Sequence, residues 1–120
     1  MFPLAWVVVK VENKDNWSWF VKNLMNDLEI TNGAGWAFMS DQQKGPVPAI
    51  AELLPYAEHR ICARHIYANW VKTYKGDKLQ AQFWQLAKSM NMAEFRMAKE
   101  EMLQLTKDGY DALSQTDPKH

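Results

Sequence analysis

An excess of charge of either sign is missing from this sequence of 120 residues, in which Lys plus Arg and Asp plus Glu both number 14. With no net field to draw in a polyanion, any contact with nucleic acid has to be local. Cysteine is nearly absent: Cys62 stands alone, so no internal disulfide can form and a reducing compartment is expected. Glycine and proline, five each, form no repeat and no low-complexity tract. Long apolar runs are lacking as well. The run from Phe2 to Val9 contains Pro3 and stops at Lys10, far short of the ~20 residues of a membrane-spanning helix. The N-terminus shows no basic start, apolar stretch and small-residue cleavage site of a secretory signal. A glycine-rich phosphate loop, a Gly-x-Ser-x-Gly elbow and a His-Glu-x-x-His helix are absent too, so these generic motifs offer no route to an activity.

What is present is an ordinary soluble composition, 48% hydrophobic and 23% charged, in a chain sized for one modest domain. Six tryptophans and seven methionines are many for this length. Such side chains supply core, or else face a neighbour that should cover them, and in the latter case poor solubility follows.

Leu4 to Val11 is β-branched, aromatic or aliphatic almost throughout, which predicts a first strand buried on both faces. Asp15 or Asn16 then offers a helix cap, and Trp17, Phe20, Val21, Leu24 and Leu28 recur at helical spacing until about Glu29. Thr31 to Gly35 reads as a turn leading into a second strand, Trp36 to Met39. Gly45, Pro46 and Pro48 suit the approach and first turn of a short helix through Ala49, Ile50, Leu53 and Leu54, which Pro55 stops. Ala57 to Cys62 is a third, more polar strand. Beyond Arg64 helical spacing takes over, in Ile66, Trp70 and Tyr74, in Leu79, Phe83, Leu86 and Ala87, and in Phe95, Ala98, Met102 and Leu105. The tail from Ser114 is expected to fray. The order predicts an α/β sheet with a helical appendage.

Three features could carry chemistry. Asp41 follows the second strand, where ligands gather in open α/β sheets and a carboxylate can take a hard cation; by composition alone the turn or capping aspartate is the favoured reading. Cys62 and His65 form a Cys-x-x-His pair with zinc-compatible chemistry, but a structural zinc wants four ligands and packing explains the pair as well. His59, Arg60, Arg64, His65, Lys72, Lys75 and Lys78 alternate with Tyr67, Trp70 and Tyr74. This is either a grip on a nucleic-acid backbone or a solvated face beside a buried aromatic stripe. The mixed charges from Glu94 to Glu101 keep a helix soluble.

Taken together and in order, FPLAWVVVKVENKDNWSWF, FMSDQQKG, LLPYAEHRICARHIYANW and the stretch through FWQLAKS resemble the plant Mutator-like element (MULE) transposases over nearly the whole chain. The resemblance implies an incomplete RNase H-like mixed sheet in residues 1–62, followed by a helical insertion in 63–120. It implies a DDE transposase core in which three acidic residues hold two Mg²⁺ or Mn²⁺ ions for DNA cleavage and strand transfer. Asp41 matches the second catalytic aspartate and metal ligand. Cys62 and His65 match a family signature near the active site, and Glu12 a recurrent position without an assigned role. The basic series, not the resemblance, supplies the candidates for DNA contact, Arg60, Arg64 and Lys72. The implied partners are terminal inverted repeats, target DNA and a homo-oligomer, with no membrane, and the implied location is the nucleus.

The family's first aspartate belongs to an Asp-Gly-Thr-like strand, and its last acid to an Asn-Asn-x-x-Glu-Ser-Phe-Asn-like segment. Neither occurs in these 120 residues. Glu94, Glu100 and Glu101 fall where the resemblance places no catalytic residue. The expectation is a transposase fragment that binds Mg²⁺ weakly through Asp41 and has no activity alone. The alternative is a domesticated, transposase-derived DNA-binding or transcription-regulatory protein.

Overall fold

A computed structural model describes residues 2–115. Contacts divide the chain into two compact units, Met1–Cys62 and Ala63–His120. The first contains α1 (Lys14–Asp27), β1 (Ala37–Ser40), α2 (Pro46–Leu53) and β2 (Glu58–Ile61); the second contains α3 (Ala63–Trp70), α4 (Asp77–Ala87), α5 (Met92–Leu105) and α6 (Lys107–Ser114).

In the first unit α1 starts at Asn13, not at Asp15 or Asn16, because the Asn13 side chain reaches forward and accepts the Asn16 amide at 2.9 Å. Asp15 sits in the first turn instead, where its charge favours the positive end of the helix. β1 lies one residue later than its apolar run suggests. It pairs only with β2, in parallel, with Ala37 opposite Glu58 and Ser40 opposite Ile61. The sheet of the described residues is therefore two parallel strands joined through α2, the crossover that parallel pairing requires. α1 packs on α2, and Val21, Ile30, Ile50 and Leu54 form the core, flanked by Met25, Leu28 and Phe38.

The first predicted strand, Leu4 to Val11, is not a strand. β structure needs an edge to hydrogen-bond to, and the only ladder among the described residues is the one between β1 and β2. Ala5, Trp6, Val7 and Val9 line a groove of about 290 Å³ with Trp17 and Phe20 of α1, and Phe2, Leu4, Trp6 and Val8 lie 82–91% exposed.

An exposed ion pair ties the two helices of this unit, Lys14 Nζ to Glu52 Oε2 at 2.6 Å. The hydrogen bond from Lys14, and then its charge, hold the Glu52 carboxyl below its ordinary range, and the same two effects raise the Lys14 ammonium. A lowered carboxyl stabilises the fold above its unfolded-state pKa, and that contribution fades as pH falls through the lowered value. A raised ammonium stabilises at neutral pH and fades as pH rises through the raised value. Glu52→Gln is expected to lower the melting temperature slightly at neutral pH and low salt, with the difference from wild type vanishing in acid and in high salt. Melting curves across pH check this, and a difference that persists in acid contradicts it.

In the second unit the helical spacings hold. Trp70, Phe83 and Met102 are the buried centre, with Ile66, Tyr67, Tyr74, Leu79 and Trp84 packed against them. The third helical pattern does not end the chain's regular structure, because α6 follows α5 at once. Thr106 ends α5 and caps α6, its hydroxyl accepting the Gly109 amide at 3.1 Å. Ser114, where the tail is expected to begin fraying, is instead the last residue of α6; residues beyond Gln115 lie outside the described ones. Among the described residues, no helix is long and apolar enough to cross a membrane.

Candidate functional site

The four-residue strands β1 and β2 alternate strictly. Phe38 and Ser40 point to the covered side of the pair with His59 and Ile61; Ala37, Met39, Glu58 and Arg60 point out. Asp41 comes directly after Ser40, at the carboxyl end of a parallel pair, and is half-buried. Its Oδ1 accepts the Gln43 amide at 3.2 Å, closing a short turn before α2. The turn role and the strand-end position thus coexist in one residue.

Beneath Asp41 lies a polar pair that the basic series in the sequence concealed. His59, only 7% exposed, places Nε2 2.8 Å from the Ser40 hydroxyl, and that hydroxyl lies 2.9 Å from the Asp41 carbonyl oxygen, to which it donates. His59 thus lies inside, away from any basic face. Its signal was available in β2, where Glu58 and Arg60 alternate with His59 and Ile61 at the period of a strand.

Cys62 adjoins the same strand end, half-buried, its amide donating to the Ser40 carbonyl at 2.8 Å. His65 belongs to the second unit, exposed on α3. Arg60 stands on the outward face of β2 and is held by Glu58 of the same strand at 2.6 Å. Arg64 is exposed on α3, and Lys72, exposed just after it, donates to Asn69 Oδ1 at 3.0 Å. From Arg64 to Lys78 the single acid is Asp77. Trp70 is buried, and Tyr67 and Tyr74 pack against the same core. These aromatics form the buried stripe rather than a stacking platform.

A hard dication takes carboxylate oxygens of the kind Asp41 offers. Among the described residues, however, no three His, Cys, Asp or Glu side chains are grouped to hold a metal ion. Asp41 fits one corner of such a site.

A family model, the MULE transposase domain, matches residues 1–69. The chain belongs to the MULE transposase family. The MULE match includes the whole of the first unit and almost all of α3, so Asp41, Ser40, His59, Cys62 and His65 all lie within it. No match was found among curated proteins or among solved structures.

Proposed function

We propose that this chain is part of the catalytic domain of a MULE transposase, with a partial RNase H-like core in residues 1–62 and inserted helices in 63–120. Asp41 is the metal-binding carboxylate of the DDE set that it contributes. The observation that carries the reading is the place of Asp41, at the carboxyl end of two parallel strands within the MULE match. Asp41 would hold one side of an Mg²⁺ or Mn²⁺ ion, which when bound would supply charge for activating an attacking oxygen and stabilising a leaving one in DNA cleavage and strand transfer. The chain's own part is to hold one carboxylate at a fixed point beside the path of the DNA. Arg60, Arg64 and Lys72 are the proposed backbone contacts, acting by charge alone since the neighbouring aromatics are in the core. A single carboxylate binds a dication weakly, so this chain by itself is proposed to be inactive. The reading carries a nuclear location with it.

The test is a titration of the isotope-labelled chain with Mn²⁺, whose paramagnetism broadens nearby amide resonances even at low occupancy. Broadening is expected first at Asp41, Gln42 and Gln43, and Asp41→Asn is expected to remove it there. Broadening that ignores this substitution takes Asp41 out of the metal site.

A further inference from the structure

We propose that Ser40 and His59 are positioning residues for Asp41, forming a buried relay that fixes where its carboxylate stands. This rests on the reading of Asp41 as a metal ligand.

Ser40 has one hydroxyl proton, and the geometry commits it to the Asp41 carbonyl oxygen at 2.9 Å. With the imidazole proton of His59 on Nε2, the ring completes the 2.8 Å contact by donating to Ser40 Oγ. The order of donation runs from ring to hydroxyl to carbonyl, from a residue 7% exposed out to one at the strand end. Two further bonds complete the frame. The Cys62 amide holds the Ser40 carbonyl at 2.8 Å, and the Gln43 amide holds Asp41 Oδ1 at 3.2 Å.

A carboxylate on a strand end otherwise swings with the peptide that bears it. Here the Asp41 peptide is pinned on its carbonyl side by Ser40, and the side chain is pinned by Gln43. Hydrogen bonds behind a metal ligand orient it and set its affinity, and their loss typically weakens binding by ~10-fold or more. The relay reaches Asp41 only through main-chain and hydroxyl groups, so it alters the position of the carboxylate and leaves its identity untouched.

The experiment uses the full chain and two readouts. In the Mn²⁺ titration, Ser40→Ala is expected to reduce the initial slope of broadening at Asp41 to Gln43 by roughly ten-fold, with no change in slope near Glu100 and Glu101. Ser40→Thr, which keeps the hydroxyl, and His59→Gln, which keeps an N–H near the place of Nε2, are expected to retain most of the wild-type slope. In amide hydrogen exchange without metal, Ser40→Ala is expected to speed exchange at Gln43 by roughly five- to ten-fold.

A wild-type slope in Ser40→Ala, or an equal loss in Ser40→Thr, overturns the proposal. If Asp41→Asn leaves broadening unchanged, the metal reading fails. The relay is then judged by exchange alone, and an unaltered Gln43 rate in Ser40→Ala overturns it.

Discussion

Replacing Trp70 with alanine is expected to abolish the cooperative folding of the second unit. The indole is 6% exposed, stacks on Tyr74 at a centroid distance of 5.2 Å, lies 5.5 Å from Phe83, and donates Nε1–H to the Gly109 carbonyl at 2.9 Å. Truncating a buried tryptophan costs about 3 to 5 kcal/mol. A core serving some 60 residues rarely supplies more than ~3–5 kcal/mol in all, so the loss is comparable with everything the unit has. The amide resonances of residues 63–115 are expected to collapse toward unfolded positions. Trp70→Phe, which keeps a ring but not the bond to Gly109, is expected to lose only about 1 to 3 kcal/mol. Retained dispersion in Trp70→Ala, with a small fall in melting temperature, contradicts the placement of Trp70 at the centre.

The contact with Gly109 also explains why α6 escaped the sequence reading. Lys107, Asp108 and Gly109 look like a turn, and glycine is a poor helix former. Yet a Cβ on Gly109 would come within 2.6 Å of Thr106 Cγ2 and 3.2 Å of Trp70 Cζ2. Glycine is there because two side chains, one of them 39 residues away, occupy the space. No local pattern encodes that.

In the first unit the largest effect is expected from Gly33→Ala. Gly33 has φ of +87°, and an added Cβ would lie 2.7 Å from Ala57 Cβ, 2.9 Å from Ala57 N and 3.0 Å from Leu54 Cβ. Both the left-handed backbone and the overlap oppose a side chain, for a combined loss of about 3 kcal/mol. The place is well stitched, since the Tyr56 amide donates to Asn32 O and the Trp36 amide to Gly33 O, so the backbone cannot yield without breaking the approach to β1. Gly35→Ala separates the two causes: φ is +80° but no atom lies within 4 Å of the added Cβ. It is expected to cost only the ~1–2 kcal/mol of the backbone conformation. Urea midpoints compare the two, and equal losses contradict the close approach to Ala57.

The helices of both units were legible because a stripe at helical spacing needs only one face to bury, as Val21, Ala98 and Met102 show. Strands were less so. β2 falls inside the polar strand expected at Ala57 to Cys62, but Leu4 to Val11 has strand composition without a ladder to join among the described residues. Composition gives a segment's preference; the hydrogen-bonding edge decides. The same division runs through the site. Asp41 stood out by its position after an apolar run, but its support by Ser40 and His59 depends on a register between segments 19 residues apart. His59 was grouped with Arg60 and Arg64 by charge type, although only the arginines face outward.

Thr106 leaves α5 and α6 no linker between them. Their relative rotation is therefore set by residue count, as the mesh of two gears is set by their teeth. One residue inserted after Thr106 would advance α6 by about 100° about its axis, turning Tyr110 and Leu113 off the face they share with Trp70. Insertions in this half of the chain are expected to cost less in the turns between α3 and α4 and between α4 and α5, where residues between the helices can absorb the change of phase.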